Sequence, residues 1–151
     1  MNGLIEDYLS TRGVRYFRGH HDDEYFYLVD FVVGAYRGRL DVHLEVCDAD
    51  RGGVQLSISP DRYYPVRYQQ RLEDLVARSN AGTPAVRGVV HDSCDPRLIG
   101  VLARGQSRPA DTAALRDFVE AGLACSVDLF GSMAGMAEAD RQGHDVLRDA
   151  G

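Results

Sequence analysis

Apolar positions recur first at helical and then at strand spacing along the chain. Leu4, Ile5, Tyr8 and Leu9 share one face at helical spacing. Asn2 is placed to cap this helix, and Gly13 to end it in a left-handed turn. From Val14 to Ser59 the period falls to two. Arg15 to Arg18 reads as a short strand or the lead-in to one. Tyr25 to Val33 is apolar on both faces apart from Asp30, with Tyr25, Tyr27, Val29, Phe31 and Val33 on one and Phe26, Leu28 and Val32 on the other. A strand apolar on both sides is expected near the centre of a sheet, covered twice. Leu40, Val42, Leu44 and Val46 alternate with Asp41, His43, Glu45 and Cys47, which marks one buried and one wetter face. Val54, Leu56 and Ile58 alternate with Gln55, Ser57 and Ser59 in the same way, and the Asp48 to Gly53 link reads as a hairpin loop.

Pro65 opens a second helix, where a proline in the first turn is tolerated. Tyr68, Leu72, Leu75 and Val76 form its stripe, and Asn80 and Gly82 stop it. Val86 to His91 and Leu98 to Ala103 are two further strand-like runs, separated by the turn residues Asp92 to Pro96. Asp111 caps the last helix. Its apolar positions fall in two rows, Leu115, Val119, Gly122, Ser126, Leu129, Met133 and Met136, then Leu123, Val127, Phe130 and Ala134. That apolar face is wide and rich in small residues.

The expected fold class is therefore α+β, one mainly antiparallel sheet of about five strands with elements in the order α-β-β-β-α-β-β-α. Residues 1–136 read as a single domain, and 137–151 as a polar tail that frays. A length of 151 residues with 44% hydrophobic and 26% charged content suits one globular domain with a real core.

Charge and residue usage exclude more than they assign. A net charge of -6 without a basic stripe argues against nucleic acid as a partner. All 17 basic residues are Arg. A lysine-free chain has no P-loop lysine, no Schiff-base lysine and no lysine general base. Cys47, Cys94 and Cys125 are widely spaced and form no C-x-x-C pair, so neither a zinc ribbon nor a redox motif is expected, and a reducing cytoplasm fits. The first residues carry no signal-peptide pattern. No run approaches about 18 uncharged apolar residues, so no membrane partner is expected.

Three polar clusters are candidates for chemistry. His20, His21, Asp22, Asp23 and Glu24 are a dense set of metal-ligand types, but neighbours in a strand point to opposite faces, and a solvated turn is the expected role. Asp41, His43 and Glu45 share one strand face, where a His between carboxylates could serve as a general base, with Ser57 and Ser59 on the next strand. No G-x-S-x-G elbow supports a triad, and the wet side of a half-exposed strand is the expected reading. His91, Asp92, Cys94 and Asp95 read as a hairpin turn, whose carboxylates oppose a reactive Cys94 thiolate. No cofactor, bound metal or catalysis is expected. The candidates for partner contact are Tyr63 and Tyr64, as an aromatic anchor or a loop-closing core, and Leu129, Phe130, Met133 and Met136 at the end of the last helix. The wide apolar face there suggests a homodimer or a protein client.

The element order, the run Leu4 to Leu9 leading into a Gly-Val turn, and the aromatic strand Tyr25-Phe26-Tyr27-Leu28-Val29 together resemble the YbjN domain family. The resemblance spans roughly Leu4 to Met136 as a pattern of elements. Members are described as candidate bacterial sensory transduction regulators, with a fold similar to type III secretion chaperones. The resemblance implies a non-enzymatic, often dimeric, cytoplasmic domain that binds or regulates a protein, in a chaperone-like manner at most. The family has no catalytic signature, so no site residues carry over.

Overall fold

The computed structural model describes the backbone of residues 1–149 and the side chains of residues 1–140. In chain order the elements are α1 (Asn2–Arg12), β1 (Tyr16–Arg18), β2 (Glu24–Val33), β3 (Tyr36–Cys47), β4 (Gly53–Pro60), β5 (Tyr64–Pro65), α2 (Gln69–Asn80), β6 (Arg87–Asp92), β7 (Leu98–Ser107) and α3 (Thr112–Asp149), with a single 3-10 turn at Val66–Tyr68 before α2. The class is α+β and all pairings are antiparallel. The sheet has seven strands instead of about five, because the short β1 and β5 join it.

The strands run β1-β2-β3-β4-β7, and β7 takes β4 and then β5 along one side and β6 along the other. β2 is therefore one strand from the edge. The expected central place for Tyr25 to Val33 is corrected: β3 and β4 hold the middle, and β2 is covered on one face alone.

All three helices lie on that covered face. Tyr25, Leu40, Leu44, Leu56 and Ile58 from the sheet meet Ile5, Leu9, Leu72, Leu115, Phe130 and Met133 from the helices, each no more than 1% exposed. Removing large apolar side chains from water is the dominant stabilising contribution, roughly 1.5–3 kcal/mol per residue. α3 crosses the sheet closely at Gly122, where an added Cβ would lie 2.6 Å from Leu56 Cδ2.

Local signals explain most boundaries. Gly13 has φ 68°, and its N–H closes α1 on the carbonyls of Leu9 and Ser10. Asn2 does not cap: it is the first helical residue, and its side-chain amide donates to the Asp22 carbonyl at 3.1 Å. Asp111 Oδ1 accepts from the Ala114 N–H at 2.8 Å and caps α3. Asn80 ends α2 and grips β6, accepting from the Gly88 N–H at 2.8 Å and donating to its carbonyl at 3.1 Å.

α3 does not stop at Met136, where the sequence places the start of a frayed tail. It continues to Asp149, Ala137 is 6% exposed, and Asp140 accepts from the Tyr68 hydroxyl at 2.6 Å and pairs with Arg71 at 3.3 Å. Residues 150 and 151 lie outside the described residues. By length and composition Thr112–Asp140 could cross a membrane, yet half of that window is buried in the fold, as in a core helix.

Candidate functional site

The face of the sheet opposite the helices is open. On β2 the outward side chains Phe26, Leu28 and Val32 are 39%, 51% and 61% exposed, and Phe17, which pairs with Phe26 from β1, is 67% exposed. The second apolar row of Tyr25 to Val33 is thus solvent-facing. Large exposed apolar side chains gathered on one face are uncommon in monomeric proteins. Beyond them the face turns polar through Asp41, His43 and Glu45 on β3 and Ser57 and Ser59 on β4. It turns apolar again at Leu102 on β7 and Val89 on β6, which oppose each other in register. A shallow groove of about 660 Å³ runs across it, with Phe17, Leu28, Asp41, Tyr63 and Arg104 among its walls.

Tyr63 and Tyr64 part company. Tyr63 is half exposed on the groove wall and meets His91 edge-on, ring centroids 6.3 Å apart. Tyr64 pairs with Ile99 in β5 and is buried, with its phenol pushed up to about 12 by that burial against the opposing pull of Arg62. The expected contact surface at the end of the last helix is corrected. Leu129, Phe130 and Met133 are buried in the core, and Met136 is partly buried against it. The wide apolar face of α3 is largely used inside the molecule, where it meets α1 and α2 as well as β2, β3, β4 and β7.

The polar centre of the open face also differs from the pattern along β3. His43 does not engage Asp41 or the serines. Its ring stacks on Phe26, centroids 4.3 Å apart and planes within 4°, and its Nε2 lies 3.5 Å from Glu24 Oε1. That contact lacks hydrogen-bond geometry, and the buried Nε2 has no hydrogen-bond partner among the described residues. Ser57 Oγ accepts instead from Arg104 Nε at 3.4 Å. Glu24 and Glu45 are directly opposed in the β2–β3 ladder, and one donor atom from each of Glu24, His43 and Glu45 falls within a 4.8 Å set. The sequence groups Glu24 with the preceding turn. The antiparallel register of β2 on β3 brings it to His43, and a single strand's alternation could not reveal this.

The other clusters are turns. His20, His21 and Asp22 are exposed, Asp22 offers its carbonyl to Asn2 and Arg18, and Asp23 pairs with Arg51, which holds its carboxyl below the usual carboxylate range. Ser93 Oγ accepts from the Asp95 N–H at 3.0 Å, and Asp95 pairs with Arg97 at 2.9 Å, closing the β6–β7 turn with Cys94 exposed. The loop between β3 and β4 is stapled by Arg108 to both Asp48 and Asp50.

No family model matches the chain, and no curated protein does. Among solved structures the fold is similar to that of YbjN, a proposed transcription regulator from E. coli. The two share 12% identity over 89% of this chain and 92% of the other, with a TM-score of 0.63. The YbjN-like fold expected from the element order is therefore present in this chain.

Proposed function

We propose that this domain is a non-enzymatic, protein-binding regulatory module that holds its partner on the open sheet face. The observation that carries the proposal is the solvent-facing row Phe17, Phe26, Leu28 and Val32, which nothing among the described residues covers. The described proteins of this fold include one regarded as a regulator, which is consistent in kind. The partner is a protein segment that presents apolar side chains to this row, in a bacterial cytoplasm. Two open faces of identical chains stacked on each other would give the dimer that the family resemblance implies. A chaperone-like role is the extended form, in which the face keeps an apolar client segment from water. The rival enzymatic use of Asp41, His43 and Glu45 finds little support. An imidazole stacked on Phe26, with no nucleophile on its Nε2, is not poised as a general base.

Phe17→Asp combined with Leu28→Asp tests the surface. Both side chains are more than half exposed, so folding stability should change by no more than about 1 kcal/mol. The wild type should sediment as a dimer at high concentration or co-purify with a defined client, and the double variant should lose that association. A double variant that keeps the association, or a wild type that is monomeric and without a partner, would refute the proposal.

A further inference from the structure

The geometry points to a divalent transition-metal site at Glu24, His43 and Glu45, and we propose that it takes Zn²⁺ or an ion of the same borderline class. The site lies beside the apolar row, since Phe26 stacks on His43, but it does not rest on the protein-binding reading. Three observations converge on it. Glu24 and Glu45 occupy directly opposed positions on β2 and β3, and like charges in that relation repel. The side chains of Glu24 and His43 are largely withdrawn from water, 20% and 24% exposed. Between them the buried Nε2 of His43 has no hydrogen-bond partner among the described residues, a costly state for a polar atom removed from solvent. Finally, the three donors already lie within 4.8 Å of one another.

A cation between them resolves all three features. Tetrahedral zinc, with bonds of about 2.0–2.1 Å, needs donors roughly 3.3 Å apart. Glutamate side chains can cover the remaining distance by rotamer adjustment with no backbone movement. The imidazole is already oriented, since Phe26 stacks flat on it. One nitrogen with two carboxylates selects against Mg²⁺ and Ca²⁺, which prefer all-oxygen shells, and suits zinc. Three protein ligands leave a coordination position for water or for a donor brought by a partner.

The full-length chain, stripped with chelator, should bind a single Zn²⁺ in calorimetric titration, with much weaker heat from Mg²⁺. His43→Asn and Glu45→Gln should each weaken zinc binding by at least about tenfold, the loss that even outer-shell changes can cause. His20→Ala combined with His21→Ala should leave binding unchanged. Metal-free Glu45→Gln should melt no lower than metal-free wild type, because it removes one of two repelling carboxylates, and zinc should no longer raise its melting point. The site is refuted by wild type that binds no zinc at about 100 μM, a range far weaker than structural zinc affinities. It is also refuted by zinc affinity that survives both ligand substitutions, by Mg²⁺ binding equal to zinc, or by a metal-free Glu45→Gln that is clearly less stable.

Discussion

Phe130→Asp should unfold this domain. Phe130 is 1% exposed on the inner side of α3, among the largest fully buried side chains. Truncating a buried aromatic costs about 3–5 kcal/mol from lost transfer energy and residual cavity. A carboxylate placed there adds several more, because burying a charge without a partner is strongly unfavourable. Domains of this size are stable by only about 5–15 kcal/mol. The sum reaches or exceeds that margin, so the variant should show no cooperative unfolding transition and no native near-ultraviolet dichroism. Leu28→Asp is the contrast: a larger change in surface chemistry at a residue 51% exposed should leave the fold intact. A folded, cooperative Phe130→Asp protein would mean that the end of α3 is a surface after all. The two variants together separate core from contact face.

These two residues also show where the sequence was informative and where it was not. Leu28 lies in a row of β2 that is apolar on both sides, and the alternation found the row correctly. It could not say whether the second row is covered. A strand covered twice and one with an open outer face write the same pattern, and only the packing of all three helices on the other face of the sheet decides between them. Phe130 failed in the opposite direction. The width of the apolar face of α3 is legible in the sequence, but not that two helices as well as the sheet cover it. β1 and β5 are three and two residues long, too short to give a periodic signal; β1 adds a strand at the edge, and β5 continues the side of β7 that β4 occupies. α1 and α2 then fill the flanks of α3. Caps and turns, by contrast, are local chemistry and were largely readable: Gly13 in its left-handed conformation, Asp111 on the Ala114 N–H, and the Asp95 turn.

The same limit explains the polar site. Asp41, His43 and Glu45 were visible because they alternate along one strand. Glu24 was not, because its relation to His43 passes through the β2–β3 register, where Phe26 faces His43 and Glu24 faces Glu45. A hairpin register is written in hydrophobic pattern and loop geometry together. Residues that meet across it carry no mark of their own in sequence.

The absence of lysine makes a second strong effect measurable: stability should fall steeply between pH 10 and pH 12. The Tyr25 phenol is buried and donates to Glu6 Oε1 at 3.1 Å, and it is pushed from 10.0 up to about 12, first by burial and then by that carboxylate. Tyr64 is pushed to about 12 by burial, and Tyr8 and Tyr27 are raised chiefly by burial as well. A group whose folded pKa lies above its unfolded value adds stability that is whole below the unfolded pKa. That stability is lost as pH rises toward the folded pKa. For Tyr25 and Tyr64 the window therefore runs from 10.0 to about 12, and each such rise corresponds to on the order of 2 kcal/mol. In most proteins lysine ammonium groups titrate across the same window and obscure it. Here every basic side chain other than histidine is arginine and stays charged. The cysteine thiols remain, with Cys47 raised from 9.0 by burial, and tyrosine variants distinguish them. Denaturant unfolding measured at intervals from pH 9 to pH 12 should show the loss, and phenolate absorbance should rise with it. Tyr25→Phe and Tyr64→Phe should each make the dependence on pH shallower, because one fewer proton is released on unfolding, whatever they do to stability at neutral pH. A flat profile above pH 10, or a slope unchanged in both variants, would show that the phenols buried beneath α1 and beside β7 titrate as they would in an unfolded chain.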